Sequence, residues 1–258
     1  MRSISPLEHS ARLAVLRYVA PAVVRGVRMA GSLAETRFRR SFAAEKHVRG
    51  SGIEVGAAAT PALVPLGCHV KYVDKYPGSV LRKDPELRGL TVNEPDIIDS
   101  AETLSTLADD SQDFVLAFSL LEHVQDALGT IRSFVRVTRN GGSVVVSVPD
   151  KRYYGPDRER PLTTFEHFER DFREGPAWSW ADHFREVGSI RRKLAGEELE
   201  RFVSEQMSTD AHTHFHVWDA ESFVDFLLRG KRVLGLGYEL KEFASYGHEA
   251  LAVLKVTK

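Results

Sequence analysis

Apolar positions along the chain fall into short dense runs of two kinds. Residues 53–55, 69–73, 114–118 and 143–148 are brief, mostly β-branched or aromatic, and bounded by turn residues. Such runs predict strands buried on both faces. Leu128, Ile131, Phe134, Val135 and Thr138 instead recur at helical spacing, and Asn140-Gly141-Gly142 predicts a stop behind them. Strand, loop, helix, loop and strand in that order call for a parallel sheet with right-handed crossovers. Further on, WDAESFVDFLLR predicts an amphipathic helix capped by Asp219, and YELKEFASYG with HEALAVLKV predicts two strands joined by a turn at Gly247. The expected fold class is therefore α/β: a Rossmann-like, mostly parallel sheet with a C-terminal antiparallel hairpin.

One stretch interrupts the alternation. Residues from about 151 to 215 are crowded with aromatics, histidines and charges. A connection of that length is usually functional, and it follows a strand at the carboxyl edge of the sheet, where ligands sit in open α/β folds.

Charge adds a second division. The 258 residues carry 35 basic and 36 acidic side chains, a formal net charge of −1, so no global field favours nucleic acid. Residues 1–48 are nonetheless strongly basic and read as a helical cap or lid ahead of the catalytic domain, 49–258. A solvated face, a lid over an anionic ligand and peripheral contact with anionic lipid are the three readings of that segment. The apolar run ARLAVLRYVAPAVV is broken by Arg17 and Pro21, so neither a spanning helix nor a secretory signal is expected. The single cysteine, Cys68, excludes an internal disulfide and fits a reducing, cytoplasmic setting. Oligomeric state is open, a homodimer being one arrangement.

Chemistry concentrates at the ends of the predicted strands. After the first comes Gly56, then Ala57-Ala58-Ala59-Thr60-Pro61. Small residues suit close approach of a ligand to the backbone, but alanine does not take positive φ cheaply. Pro61 and Pro65 preclude a long helix after the loop, so the dipole that holds a pyrophosphate is weak. A nicotinamide cofactor is disfavoured and a nucleoside without pyrophosphate is not. Asp74, ending the second strand, stands where a carboxylate accepts from both ribose hydroxyls; a turn aspartate is the plain alternative. Asp99-Ser100-Ala101 follows a third strand, and Glu122-His123 follows the fourth.

IEVGAAATP, VKYVD, DSAETL, DFVLAFSLLEHV and VTRNGGSVVVSVPD, in that order, resemble the successive motifs of class I S-adenosylmethionine-dependent methyltransferases, in particular the bacterial type 11 group. The resemblance spans roughly residues 50–150 and the terminal hairpin; Ala58 and Thr60 stand where that family usually has glycines. It implies S-adenosylmethionine as cofactor, with Glu54, Gly56 and Ala58 along the methionine part, Asp74 on the ribose, Asp99 or Ser100 with Ala101 at the adenine edge, and Phe118 and Ser119 beside the sulfonium. VPDKRYYGPDRERPLTTFEHFERD and HFHVWDAESF are similar to a subset found with polysaccharide and glycoside assembly, including mycobacterial-type sugar O-methyltransferases such as those acting on methylmannose polysaccharide.

The expected activity is thus methyl transfer to a saccharide hydroxyl. Another small-molecule or lipid-quinone acceptor, or a non-catalytic relative of the fold, is the alternative. A hydroxyl acceptor needs a base. His123 is the first choice, with Asp150, His214 and Glu122 as further candidates. Glu122 and His123 could instead hold Mg2+ or another divalent cation, although Ser119 stands where a related quinone-pathway pattern has a glutamate. His212, His214 and His216 would share one face if their segment were a strand. Tyr153, Tyr154, Glu166, His167 and His216 complete the expected acceptor surface.

Overall fold

The computed structural model describes the backbone of residues 30–209, 211 and 213–258, and side chains from Phe38 onward apart from that of Glu86. Residues 1–29 of the basic segment, and His212, lie outside the described residues.

Seven strands form one sheet: β1 Ser51–Val55, β2 His69–Asp74, β3 Ile97–Ile98, β4 Gln112–Phe118, β5 Thr138–Pro149, β6 Tyr238–Ser245 and β7 Glu249–Val256. Their order is β3-β2-β1-β4-β5-β7-β6, parallel throughout except where β7 enters antiparallel to β5 and pairs with β6. The sequence therefore yields the predicted sheet and hairpin, with Gly247 at φ 74° in the turn. The chain reverses its lateral direction between β1 and β4, and the two carboxyl ends splay a crevice there.

Side chains alternate across the sheet as the pleat requires. Phe114, Leu116 and Phe118 of β4 pack on one face with Ala43 and Ala44 of the first described helix, α1 Ala30–His47, and with Val48 just after it. Val115 and Ala117 face the other way, into a larger core with Leu128, Ile131, Phe134, Phe223 and Phe226. Those five come from helices α3 Ala127–Val137 and α7 Ala220–Leu234, whose numbering leaves α2 for the single turn Gly78–Leu81. As the prolines demand, no helix follows β1, so α1 does the covering that a βαβ crossover ordinarily would.

Helix α3 ends at Val137, three residues before the predicted Asn-Gly-Gly stop, and the chain extends into β5 at once, with Gly141 at φ 77° carrying the irregularity. Asp219 caps α7 as predicted, in a reciprocal box with Ser222. The inserted region folds into α4 Phe165–Glu174, α5 Trp180–Glu186 and α6 Gly196–Ser208. Phe165 and Phe168 of α4 join the main core, and Phe168 stacks on Trp218 at 5.2 Å. Phe184, Phe202, Val203 and Phe215 form a small core of their own. Among the described residues no helix is long and apolar enough to cross a membrane.

Candidate active site

A cavity of about 720 Å³ opens at the carboxyl ends of β1, β2 and β4. Its floor is the β1–β2 loop. Gly56 takes φ 71°, and a Cβ there would lie 2.8 Å from the Leu120 side chain, so the turn requires glycine. Ala58 also adopts a positive φ, 42°, the conformation the sequence makes costly, and the loop holds it nonetheless. Glu54 explains how. Its carboxylate is buried and accepts the Ala62 N–H at 3.0 Å, tying the loop back to β1. Glu54 consequently organises the loop from behind, and does not line the cavity.

Asp74 closes β2 on the opposite wall. Its Oδ1 accepts the Tyr76 N–H at 3.1 Å, which fixes the carboxylate at the rim, and burial raises its pKa above the ordinary value. Ser100, Ala101 and Glu102 line the next sector. Asp99 does not. Burial acts to raise its pKa, but bonds from Thr106 (N–H at 2.7 Å, hydroxyl at 2.6 Å) and Ser100 bring it below the ordinary value. Asp99 is spent on shaping its own loop, which corrects its expected place at an adenine edge.

Phe118 and Ser119 reach the cavity from the end of β4, Ser119 with φ 49°. They meet a residue that sequence reasoning missed. Arg40 of α1 lines the same wall; its guanidinium carbon lies 5.0 Å over the Phe118 ring, and Nη2 donates to Ser119 Oγ at 2.8 Å. Nε and Nη2 also donate to Glu249 of β7 at 2.9 and 2.6 Å, and both partners are buried. A cation already occupies one face of the Phe118 ring. In the sequence Arg40 is one arginine among many in a basic run; only the sheet order brings it to Glu249.

Beyond Ser119 a turn of 3₁₀ helix, Leu121–His123, turns two side chains in opposite directions. His123 faces the cavity, and its Nδ1 lies 3.1 Å from the Thr213 carbonyl oxygen. A carbonyl only accepts, so Nδ1 carries the proton and the lone pair of the neutral ring is on Nε2. Glu122 points inward. It is fully buried, neither carboxylate oxygen has a hydrogen-bond partner, and burial raises its pKa to about 7 against the opposing pull of His214.

His123 also lines a second, smaller cavity of about 260 Å³ on the side of the inserted region, with Tyr154, Arg191, Arg192, Gln206 and His214. His214 packs edge-on to His123 at 4.7 Å and stacks on Tyr154 at 5.2 Å. Its Nδ1 donates to Asp157 at 2.5 Å, and Asp157 is held in turn by Arg160. Glu122, His123 and His214 thus converge, each offering an atom within 4.8 Å of the others. One buried carboxylate and two imidazoles do not match magnesium, which takes oxygen ligands and keeps several waters.

The remaining expectations divide. Asp150 is buried away from both cavities: burial alone would raise its pKa, but Arg152, bidentate at 2.6 and 3.0 Å, and the Ala220 N–H bring it down. Its carboxylate anchors the start of α7, and this differs from the expected place at the ligand crevice. Tyr153 is exposed, and Glu166 pairs with Arg229 at 2.8 Å on the surface. The segment of His214 and His216 is not a strand, so the two rings diverge: His214 faces the smaller cavity, while His216 is buried beside His167 and His183. Of the expected acceptor residues, Tyr154 alone lies on a cavity wall among those described.

This arrangement, a crevice between β1 and β4 with an acid ending β2, defines a Rossmann-like α/β fold with its cavity at the switch point of the sheet. A family model described as a methyltransferase domain matches residues 28–229, and the chain belongs to that family. An S-adenosylmethionine-dependent methyltransferase of Mycobacterium tuberculosis is 36% identical over 59 residues, 23% of this chain and 22% of that relative. A Mycolicibacterium smegmatis relative of the same description is 37% identical over 59 residues, 23% of each chain. The matched stretch therefore covers under a quarter of either relative's length. A solved methyltransferase structure from Listeria monocytogenes shares the fold, with a TM-score of 0.50 at 9% identity over 88% of this chain and 99% of that one.

Proposed function

We propose that this chain is an S-adenosylmethionine-dependent O-methyltransferase that acts on a hydroxyl of a saccharide or glycoside. His123, standing between the two cavities, is the observation that carries the reading. One cavity offers the features of a nucleoside site; the other presents the guanidinium, amide and imidazole groups suited to a polyhydroxylated acceptor.

When bound, S-adenosylmethionine supplies a methyl group on a sulfur that is already an activated leaving group. Asp74 accepts hydrogen bonds from the ribose hydroxyls, and the Gly56–Ala59 backbone lets the amino-acid part approach closely. Arg40 gives the same wall a positive charge to face its carboxylate. Nε2 of His123 takes the proton from the acceptor hydroxyl, and Thr213 holds the ring in the tautomer that can do so. The polar walls of the smaller cavity favour a saccharide over a lipid quinone, whose long apolar body they would leave poorly covered.

Incubation with methyl-labelled cofactor, with a panel of saccharides and quinols as acceptors, tests this reading by mass shift. Transfer to a saccharide that falls about 100-fold or more in His123→Gln supports it. Transfer only to quinols, or rates indifferent to His123, overturns it.

A further inference from the structure

A second group of side chains lies behind the wall of the main cavity and takes no part in the chemistry above. Helix α4 presents His167 and Asp171, one turn apart and on one face, α5 adds His183, and the extended segment before α7 adds His216. Each of the four offers a ligand atom, and all four atoms lie within 4.8 Å of one another. His167 Nε2 is 3.2 Å from His183 Nε2 and 3.1 Å from Asp171 Oδ2. Ligands held 2.0–2.1 Å from a tetrahedral zinc ion lie about 3.3 Å apart, close to both edges.

The group is also under-satisfied as a purely protein cluster. Asp171 is 1% exposed; its Oδ1 accepts from Ser179 at 3.2 Å, but Oδ2 has no hydrogen-bond partner and faces the imidazoles of His167 at 3.1 Å and His216 at 3.9 Å. His216 Nε2 lies 3.2 Å from the Gln125 carbonyl oxygen and 3.9 Å from Asp171 Oδ2, and its Nδ1 is a buried atom without a hydrogen-bond partner. Such atoms cost about 1–3 kcal/mol each when left unmatched. Burial, followed by repulsion from neighbouring imidazoles, lowers the pKa of His183 to about 3 and that of His216 well below the ordinary value. The nearest buried cation, Arg160, is already matched by Asp157 at 2.9 Å and Glu186 at 2.6 Å.

We propose that His167, Asp171, His183 and His216 bind one zinc ion. Three imidazoles and a carboxylate suit a borderline ion, and four protein ligands in a buried setting leave no open position, so the ion is structural. It ties α4, which belongs to the main core, to α5 and the segment of Phe215, and so fixes Trp180 and Phe215 where they line the cofactor cavity. This inference stands whether or not the acceptor is a saccharide.

The full chain, stripped with chelator and reloaded with Zn2+, is expected to retain one ion per chain through gel filtration by elemental analysis. Co2+ in its place should give the intense visible absorption of a four-coordinate site. His183→Gln should weaken binding at least about tenfold, while Glu122→Gln, in the neighbouring cluster, should leave the stoichiometry at one. Failure of the unaltered chain to retain zinc, or loss of the ion in Glu122→Gln with retention in His183→Gln, would overturn the proposal. The first measurement needs no variant, so a misfolded mutant cannot mask the answer.

Discussion

Arg40 and Glu249 are 209 residues apart in the chain, yet Nε and Nη2 of the arginine both donate to a single carboxylate oxygen of the glutamate. The pair is buried between α1 and the start of β7 and extends to Ser119 on the cavity wall. Removing one partner strands the other charge. Glu249→Ala is expected to destabilise the fold by about 3–5 kcal/mol in chemical denaturation. Arg40→Met with Glu249→Leu should cost much less, because neither charge then stays behind. Calorimetry on the double variant should show cofactor binding weakened even though the fold survives.

Asp74 sits at the rim with burial raising its pKa. Asp74→Asn keeps the shape and removes the charge that strengthens hydrogen bonds to ribose hydroxyls. A loss of about 1.5–3 kcal/mol in binding of S-adenosylhomocysteine, roughly 10- to 100-fold by calorimetry, is expected. Unchanged affinity would place the ribose elsewhere.

Glu122 gives a pH signature. Burial raises its folded pKa to about 7 from the ordinary 4.5, so between these limits the folded state binds the extra proton. That contribution to stability is fully present below about 4.5 and is lost as pH rises through about 7, a swing of about 3 kcal/mol. His183, whose pKa burial lowers, titrates with the opposite sign, so the unaltered chain alone does not isolate Glu122. The difference between Glu122→Gln and the unaltered chain does: the variant should gain relative stability from pH 5 to pH 8. A flat difference would mean that the carboxylate is solvated or paired.

The loop after β1 makes paired predictions of opposite sign. Gly56→Ala adds a Cβ 2.8 Å from Leu120 at a positive φ and should destabilise by at least about 1 kcal/mol. Ala58→Gly relieves strain of about 1–2 kcal/mol but loosens the unfolded chain by 0.4–1, leaving a net gain of about 0.5 kcal/mol in thermal melts.

These residues show what a linear reading reaches. The sheet, the hairpin, the missing helix after β1 and the cap at Asp219 follow from local pattern, because pleat, proline and capping act within a few residues. The place of Asp74 on the cavity wall follows for a related reason, because a strand's end sits at the ligand edge of the sheet; His123, five residues past β4, depends also on the 3₁₀ turn between them. Asp150 was misread because Arg152, two residues on, turns back onto it, and spacing does not reveal where an arginine points. His216 was misread because HTHFH alternates like a strand while its backbone is irregular. Arg40 and Glu249 left no local trace at all; their meeting depends on β7 inserting beside β5.

That insertion also bears on when the pocket comes into being. The wall beside Phe118 is held by a helix made before β1 and a strand made after everything else described. On a ribosome, a nascent chain could display all the nucleoside-facing loops and still hold Arg40 unmatched until β7 emerges and slots in. The Phe118 wall of the cavity is thus complete only once both ends of the sheet have met.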